Sequence, residues 1–188
     1  MNSIMTISYV TGNVDKFENA KKFFSQYDIS VDQLPLKVEE IQSSDSLEIA
    51  IAKAEASFAQ VKTPLFVNDA CWTIPALGGF PGPFMKYVNQ WFRPEDFINL
   101  MRDKVDRRII LKDSIVYIDE TGHTVFTREH TGEILKTPAT LEYKHPTDVI
   151  ISLSKSGLSI AEEKANGSFF IEDEDAVWKE LVAWLQSK

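Results

Sequence analysis

The sequence predicts an α/β fold on three observations. Apolar patterns of strand and helix type alternate from Ile4 to Val67, a long period-two hairpin occupies Arg107 to Leu135, and an amphipathic helix closes the chain over Asp175 to Gln186. A chain of 188 residues can bury one sizeable core, so a single domain over residues 1–188 is expected. A hydrophobic share of 44% and a charged share of 26% are those of an ordinary folded protein and exclude disordered and fibrous classes.

The elements follow in order. Ile4 to Val10 is β-branched and alternating, and Thr11-Gly12-Asn13 interrupts it before Phe17, Ala20, Phe23 and Phe24 recur at helical spacing. Ile29 to Leu36 reads as a second strand. Asp45 caps the next helix, with Glu48 three residues on as its capping-box partner and Leu47, Ala50, Ala54, Phe58 and Val61 on its apolar face. Leu65-Phe66-Val67 is a short buried strand that delivers Asn68 and Asp69 at its C-terminal end, where α/β sheets often carry chemistry. Ala76 to Pro83, Ala-Leu-Gly-Gly-Phe-Pro-Gly-Pro, is too rich in Gly and Pro for a helix or central strand and is expected to be a shaped loop. Met85 to Trp91 and Pro94 to Met101 are helical, the second with Pro94 at an early position. Asp119-Glu120-Thr121-Gly122 turns the hairpin. Val149 to Ile151 adds a strand.

Charge and cysteine usage narrow the function classes. A net charge of −8 argues against a nucleic acid polymer as partner, because such proteins normally carry a basic patch or stripe. The one cysteine, Cys71, makes no intramolecular disulfide, and no Cys/His spacing suggests zinc, which fits a reducing cytoplasm. The first residues lack a basic stretch followed by a long apolar run, and no apolar stretch reaches membrane-spanning length. A cytoplasmic protein, with no membrane partner, is expected.

Three segments carry candidate chemistry. Thr11-Gly12-Asn13-Val14-Asp15-Lys16 feeds a glycine turn into a helix start, where free N–H groups and a positive dipole end suit a phosphate and Lys16 adds a charge. Taken alone the Gly-Asn pair reads first as an ordinary turn, with the phosphate site as the second reading, and both stay open here. Glu40 and Asp69 flank the second helix and the buried strand and form a carboxylate pair of the kind that holds a hard divalent cation, with Lys53 able to reach the same cleft. Most of the 28 acidic residues merely solvate the surface, but an acid directly after an apolar run is costly to bury unpaired, which singles out Asp69. The Gly-Pro loop is either a rigid connector or a wall of the cleft. His123, His130 and His145 have no nucleophile spacing around them.

Together these segments resemble the inosine triphosphate pyrophosphatase (ITPase) family. Thr11-Gly12-Asn13-Val14-Asp15-Lys16-Phe17-Glu18 resembles its N-terminal signature, and Glu40-Ile41-Gln42 with Glu48-Ile49-Ala50 and Lys53-Ala54 its second block. Asp69 with Ala76 to Pro83 resembles the third, and Thr131-Gly132-Glu133-Ile134 the end of its hairpin. The resemblance implies an elongated two-lobed α/β fold with a central mixed sheet flanked by helices, a nucleotide cleft between the lobes, and a homodimer. It implies hydrolysis of ITP- or XTP-type nucleoside triphosphates to the monophosphate and pyrophosphate with Mg2+, or Mn2+. By motif match Thr11, Gly12, Asn13 and Lys16 bind substrate phosphates, Glu40 and Asp69 hold metal, Asp69 orients or activates water, and Lys53 assists it.

The last third departs from the family. Where the family has an aromatic shelf for the base, this chain reads Tyr143-Lys144-His145-Pro146-Thr147-Asp148-Val149, in which Asp148 alone matches as a substrate-binding residue. Ile160-Ala161-Glu162-Glu163-Lys164 resembles the next block. The Ser-His-Arg that reads the purine edge is missing, and Glu172-Asp173-Glu174-Asp175 precedes the last helix. Asn68 stands where the family commonly has an acid. These departures imply an altered base choice, and they leave two alternatives: a non-catalytic nucleotide-binding or interaction protein that keeps the fold, or a pyrophosphatase for another phosphoanhydride.

Overall fold

Strand β1 (Met5–Val10) pairs in parallel with β2 (Ile29–Leu34), in register from Met5↔Ile29 to Val10↔Leu34. Parallel neighbours need a crossover, and α1 (Val14–Ser25) supplies it. The computed structural model describes residues 5–154, 156–169, 171 and 174–188. Ile4, Glu172 and Asp173 therefore lie outside the described residues. A second helix, α2 (Ser46–Val61), leads to β3 (Leu65–Thr73), which lies on the other side of β1 in parallel. The sheet continues through β5 (Arg108–Asp119), β6 (Gly122–Ile134) and β7 (Ile151–Ser152), in the order β2-β1-β3-β5-β6-β7, with the short β4 (Pro81–Gly82) on β3. Because β3–β4 and β6–β7 are antiparallel, the sheet is mixed, as the resemblance implied.

The chain forms two compact units. The first comprises residues up to Ala70, Asp113–Arg128 and Asp175–Lys188. Strand alternation gives its part of the sheet two apolar faces. Ile7, Tyr9, Phe66, Ile115 and Tyr117 pack with Phe24 of α1 and Leu181 of α6 (Ala176–Gln186), while Val10, Leu65, Val67, Val116 and Ile118 pack with Ala50 and Ala54 of α2. The second unit, Cys71–Lys112 and Glu129–Glu174, has its own core, in which Ile74, Ile134 and Ile150 meet Val88 of α3 (Met85–Trp91), Phe97 of α4 (Pro94–Leu100) and Ile160 of α5 (Ile160–Asn166). No helix among the described residues is long and apolar enough to cross a membrane.

Several expectations change at the level of single residues. Asp45 does cap α2, its carboxylate accepting the Leu47 N–H at 2.8 Å, but the capping box does not close. Ser43 instead donates to Glu48 at 2.7 Å and accepts the Asp45 N–H at 3.0 Å, so its hydroxyl takes the bridging place. The strand after α2 does not stop at Val67. It runs to Thr73, because its second half finds a partner in β4, with Trp72 opposite Gly82.

The Gly-Pro loop holds a 3-10 turn (Pro75–Leu77), a cis Phe80–Pro81 bond and the two residues of β4, with Gly78, Gly79 and Gly82 all at positive φ, a backbone region that glycine enters without penalty. Val149 belongs to a 3-10 turn (Pro146–Val149), not a strand, and β7 begins at Ile151. α5 was not legible in the sequence as a helix. It is seven residues long, nucleated by Ser159, which accepts the Glu162 N–H at 3.2 Å while Glu162 accepts the Ser159 N–H at 2.8 Å, and it stops at the left-handed Gly167.

Candidate functional site

The loop after β1 is built by its own short side chains. Thr11 Oγ1 accepts the Asn13 N–H at 3.1 Å, and Asn13, the N-cap of α1, accepts the Lys16 N–H through Oδ1 at 3.1 Å. Asp15 occupies the first turn, where Val14 and Asp15 are exposed residues. Gly12 is exposed, lies outside the left-handed region, and an added Cβ would meet nothing within 4 Å. The protein's own backbone therefore does not require glycine at this position.

The pairing of β1 with β3 reaches Tyr9↔Phe66, so Asn68 and Asp69 run past it, in the interior of a nine-residue strand rather than at its end. Lys16 spans the gap, its Nζ donating to the Asn68 main-chain carbonyl at 3.3 Å. Asp69 is half-buried. Burial raises its carboxyl above the ordinary value. The Lys16 ammonium opposes that most strongly, followed by the Ala70 N–H and Lys53, while Glu40 adds to the rise. Glu40, on the loop before α2, accepts from Lys53 Nζ at 2.8 Å. Thr11, Asn13, Lys16, Glu40, Lys53 and Asp69 all belong to the first unit, and Lys16, Lys53 and Glu40 each act electrostatically on Asp69.

Asp148 belongs to the second unit. Its carboxylate accepts the His145 N–H at 3.0 Å and stabilises the 3-10 turn it sits in.

Three residues in the first unit were not singled out as site residues. The Asn68 side chain donates to Asp113 Oδ1 at 2.7 Å and to the Ser114 carbonyl at 3.2 Å, tying β3 to β5. Tyr9, fully buried, extends its hydroxyl toward the same group of residues. A signal for Asp113 existed, because it lies in a polar run, Lys112-Asp113-Ser114, between the apolar stretches Ile109–Leu111 and Ile115–Ile118 of one strand. Tyr9 gave none, since a buried Tyr in a strand looks like any core aromatic.

The donor set bears on a metal. Among the described residues no group of three or more His, Cys, Asp or Glu is spaced to hold an ion. Glu40 and Asp69 offer two hard oxygen donors, which fits a cation that brings its remaining ligands as water and substrate phosphate, the habit of Mg2+.

The model of the Ham1 family matches residues 7–165. The chain is 32% identical over 135 residues to a dITP/XTP pyrophosphatase of Methanopyrus kandleri, covering 71% of this chain and 72% of that protein. It is 27% identical over 136 residues to an inosine triphosphate pyrophosphatase of Candida glabrata, covering 69% and 71%. In fold it is similar to the Ham1 protein of Staphylococcus aureus, with a TM-score of 0.80 at 22% identity over 97% of this chain and 98% of that one. The HAM1 protein of Coxiella burnetii gives a TM-score of 0.82 at 19% identity over 98% and 100%.

Proposed function

The chain belongs to the Ham1 family, and from that premise we propose that it hydrolyses non-standard purine nucleoside triphosphates of the ITP/XTP type to the monophosphate and pyrophosphate. Relatives named dITP/XTP pyrophosphatase support the substrate class. The observation that carries the reading in this chain is the setting of Asp69, a half-buried carboxyl acted on by the Lys16 and Lys53 ammonium groups and by Glu40, one residue after the carbonyl that receives Lys16 from the exposed first turn of α1.

In this reading Thr11, Gly12, Asn13 and Lys16 hold the phosphates, whose charge the Lys16 ammonium and the start of α1 offset. Water attacks the α-phosphorus, and a new O–P bond forms there as the bond from the α-phosphorus to the bridging oxygen breaks, the bridging oxygen staying with the β-phosphate. The electron pair of the broken bond leaves with pyrophosphate, and the water proton passes to Asp69. A carboxyl raised by burial is a better base than an ordinary one, and the Lys16 ammonium, then the Ala70 N–H and Lys53, oppose that rise. No covalent nucleophile is needed, because phosphoryl transfer asks chiefly for alignment and charge neutralisation. Glu40 and Asp69 would hold Mg2+, or Mn2+, which when bound would neutralise phosphate charge. Asp148 is the one substrate-binding assignment that rests on the resemblance alone.

The protein acts here as one ITPase-like domain over residues 1–188, a cytoplasmic homodimer on a free nucleotide, in keeping with a net charge of −8. Light scattering tests the dimer. The deciding experiment for the activity is a panel of nucleoside triphosphates, including dITP, ITP and XTP, with Mg2+ or Mn2+, in which pyrophosphate and orthophosphate are assayed separately. Pyrophosphate released in equal amount with monophosphate is expected. Orthophosphate alone, or no turnover of any member, overturns the reading.

A further inference from the structure

Tyr9, Asn68 and Asp113 come from three strands that are adjacent in the sheet, β1, β3 and β5. Alternation puts them on one face. Tyr9, Phe66 and Ile115 share a core cluster, and Asn68 and Asp113 are each two residues from a member of it. Above the apolar core this face therefore carries a polar row, Thr11, Asn68 and Asp113, at the level of the phosphate-loop start. The Tyr9 ring lies flat on Phe66, with centroids 4.4 Å apart and planes 8° apart, and Trp178 meets it edge-on at 6.2 Å. Both contacts fix the direction of the hydroxyl.

That hydroxyl is buried and makes no hydrogen bond among the described residues. The Thr11 hydroxyl acts on it, without the geometry of a bond, as do the charges of Asp113 and Asp69. Burial is the largest of the influences that push the phenol above its ordinary value, so the group stays a donor. A buried donor without an acceptor costs stability, and phenylalanine would fill the same space without that cost. As a purely structural residue Tyr9 is the poorer choice.

We infer that Tyr9 is a positioning residue of the site: its hydroxyl donates into the polar row of Thr11, Asn68 and Asp113 when the site is occupied, and so fixes the loop and strand that carry Lys16 and Asp69. The inference rests on the function proposed above. Asn68 is the link, since its side chain is held by Asp113 and Ser114 while its carbonyl receives Lys16 and its next residue is Asp69. A shift in this row moves both the ammonium that meets phosphate and the carboxyl that meets water. Displacements of that size cost rate rather than affinity.

The test is Tyr9→Phe, which removes one oxygen and keeps the ring stack. Three measurements are made: the urea midpoint without metal, kcat and KM for dITP with Mg2+, and the 13Cζ resonance of labelled Tyr9, identified by its loss in the variant, as Mg2+ and tripolyphosphate are added. Expected are a midpoint equal to or above wild type, a kcat lower by about tenfold or more with KM within about threefold, and a resonance that moves on titration. A wild-type kcat overturns the inference. A fall in kcat accompanied by a lowered midpoint overturns it as well, since that is the mark of a packing role. Should the wild type hydrolyse no nucleotide, the proposed function fails separately and the resonance decides: movement with tripolyphosphate sustains the positioning role, and a fixed resonance overturns it.

Discussion

The ammonium of Lys16 donates to the main-chain carbonyl of Asn68 at 3.3 Å, joining the first turn of α1 to β3 one residue before Asp69. One cation thus serves both the helix start and the carboxyl, being the strongest charge acting to lower the Asp69 pKa. Lys16→Ala is expected to weaken triphosphate binding by roughly ten- to a hundredfold, the range of a lost charge-assisted hydrogen bond, while binding of the bare nucleoside changes little. Calorimetric titrations with both ligands check it. Equal losses for the two would move Lys16 away from the phosphates.

Asp69→Asn is expected to abolish turnover, by roughly 10²- to 10⁴-fold, with the fold intact. The same change removes a charge that burial disfavours, so the metal-free variant should unfold at a denaturant concentration no lower than wild type at neutral pH. Activity with Mg2+ and urea unfolding are the two readouts. Wild-type turnover in the purified variant would remove Asp69 from the mechanism.

How far the sequence reveals this site depends on which residues make the contacts. The loop from Thr11 to Lys16 and the placing of Asp69 after an apolar run are legible because turn chemistry and hydrophobic runs are local. The extension of β3 to Thr73 is not, because it depends on a partner, β4, that lies within a Gly-Pro segment. Asp113 and Tyr9 join the site only through strand adjacency, which one strand's own pattern does not state. α5 escaped because a seven-residue helix has too few turns to display a period. The reverse error, the unclosed box at Glu48, arose because a serine two residues before the cap competes for the same carboxylate.

Gly12 gives a test that separates ligand from fold. Its φ is accessible to any residue and a Cβ there meets open space, so Gly12→Ala should be neutral or stabilising by up to about 1 kcal/mol. If phosphate approaches the loop's backbone closely, the methyl group is in the way. Thermal unfolding at or above wild type, together with triphosphate binding weakened by about tenfold or more, is the expected pair of results. Unchanged binding would put the phosphates elsewhere.

Asp119 at the end of β5 is held well below the usual carboxylate range, chiefly by the hydrogen bond from Lys188 and next by the Thr121 hydroxyl. Lys188 also stands 4.1 Å from the centre of the Trp184 ring. A depressed carboxylate contributes stability that is present above its unfolded pKa, about 3.9, and is lost as pH falls toward the lower folded value. Lys188→Met should therefore cost about 1 kcal/mol near neutrality, a modest figure because the lysine is partly exposed, and progressively less below about pH 4. Urea unfolding of both proteins from pH 7 downward checks the sign. A difference that grows on acidification would contradict it.

The last prediction concerns the base. A pocket that hydrogen-bonds a particular base edge rejects bases lacking the partner atom, because its own buried donors would be left unpaired. Discrimination of that kind needs donors aimed at the base, and the Ser-His-Arg that supplies them in the resembling family is missing from this chain. In the corresponding region the polar groups bond to each other: Ser168 donates both its N–H and its hydroxyl to Asn166 Oδ1, at 3.0 and 2.6 Å, and Lys164 stands over the Phe169 ring at 5.0 Å. Glu172 and Asp173 lie outside the described residues, and Glu174 and Asp175, both exposed, offer acceptors rather than a guanidinium for a purine carbonyl. Non-standard purine triphosphates should thus be accepted without strong exclusion of the standard ones. The measurement is kcat/KM for inosine triphosphate against each of the four standard ribonucleoside triphosphates under the same Mg2+. Ratios below roughly a hundredfold are expected, and a preference for inosine above that value, about 2.7 kcal/mol of transition-state discrimination, would show that this chain has rebuilt a base-reading donor set elsewhere.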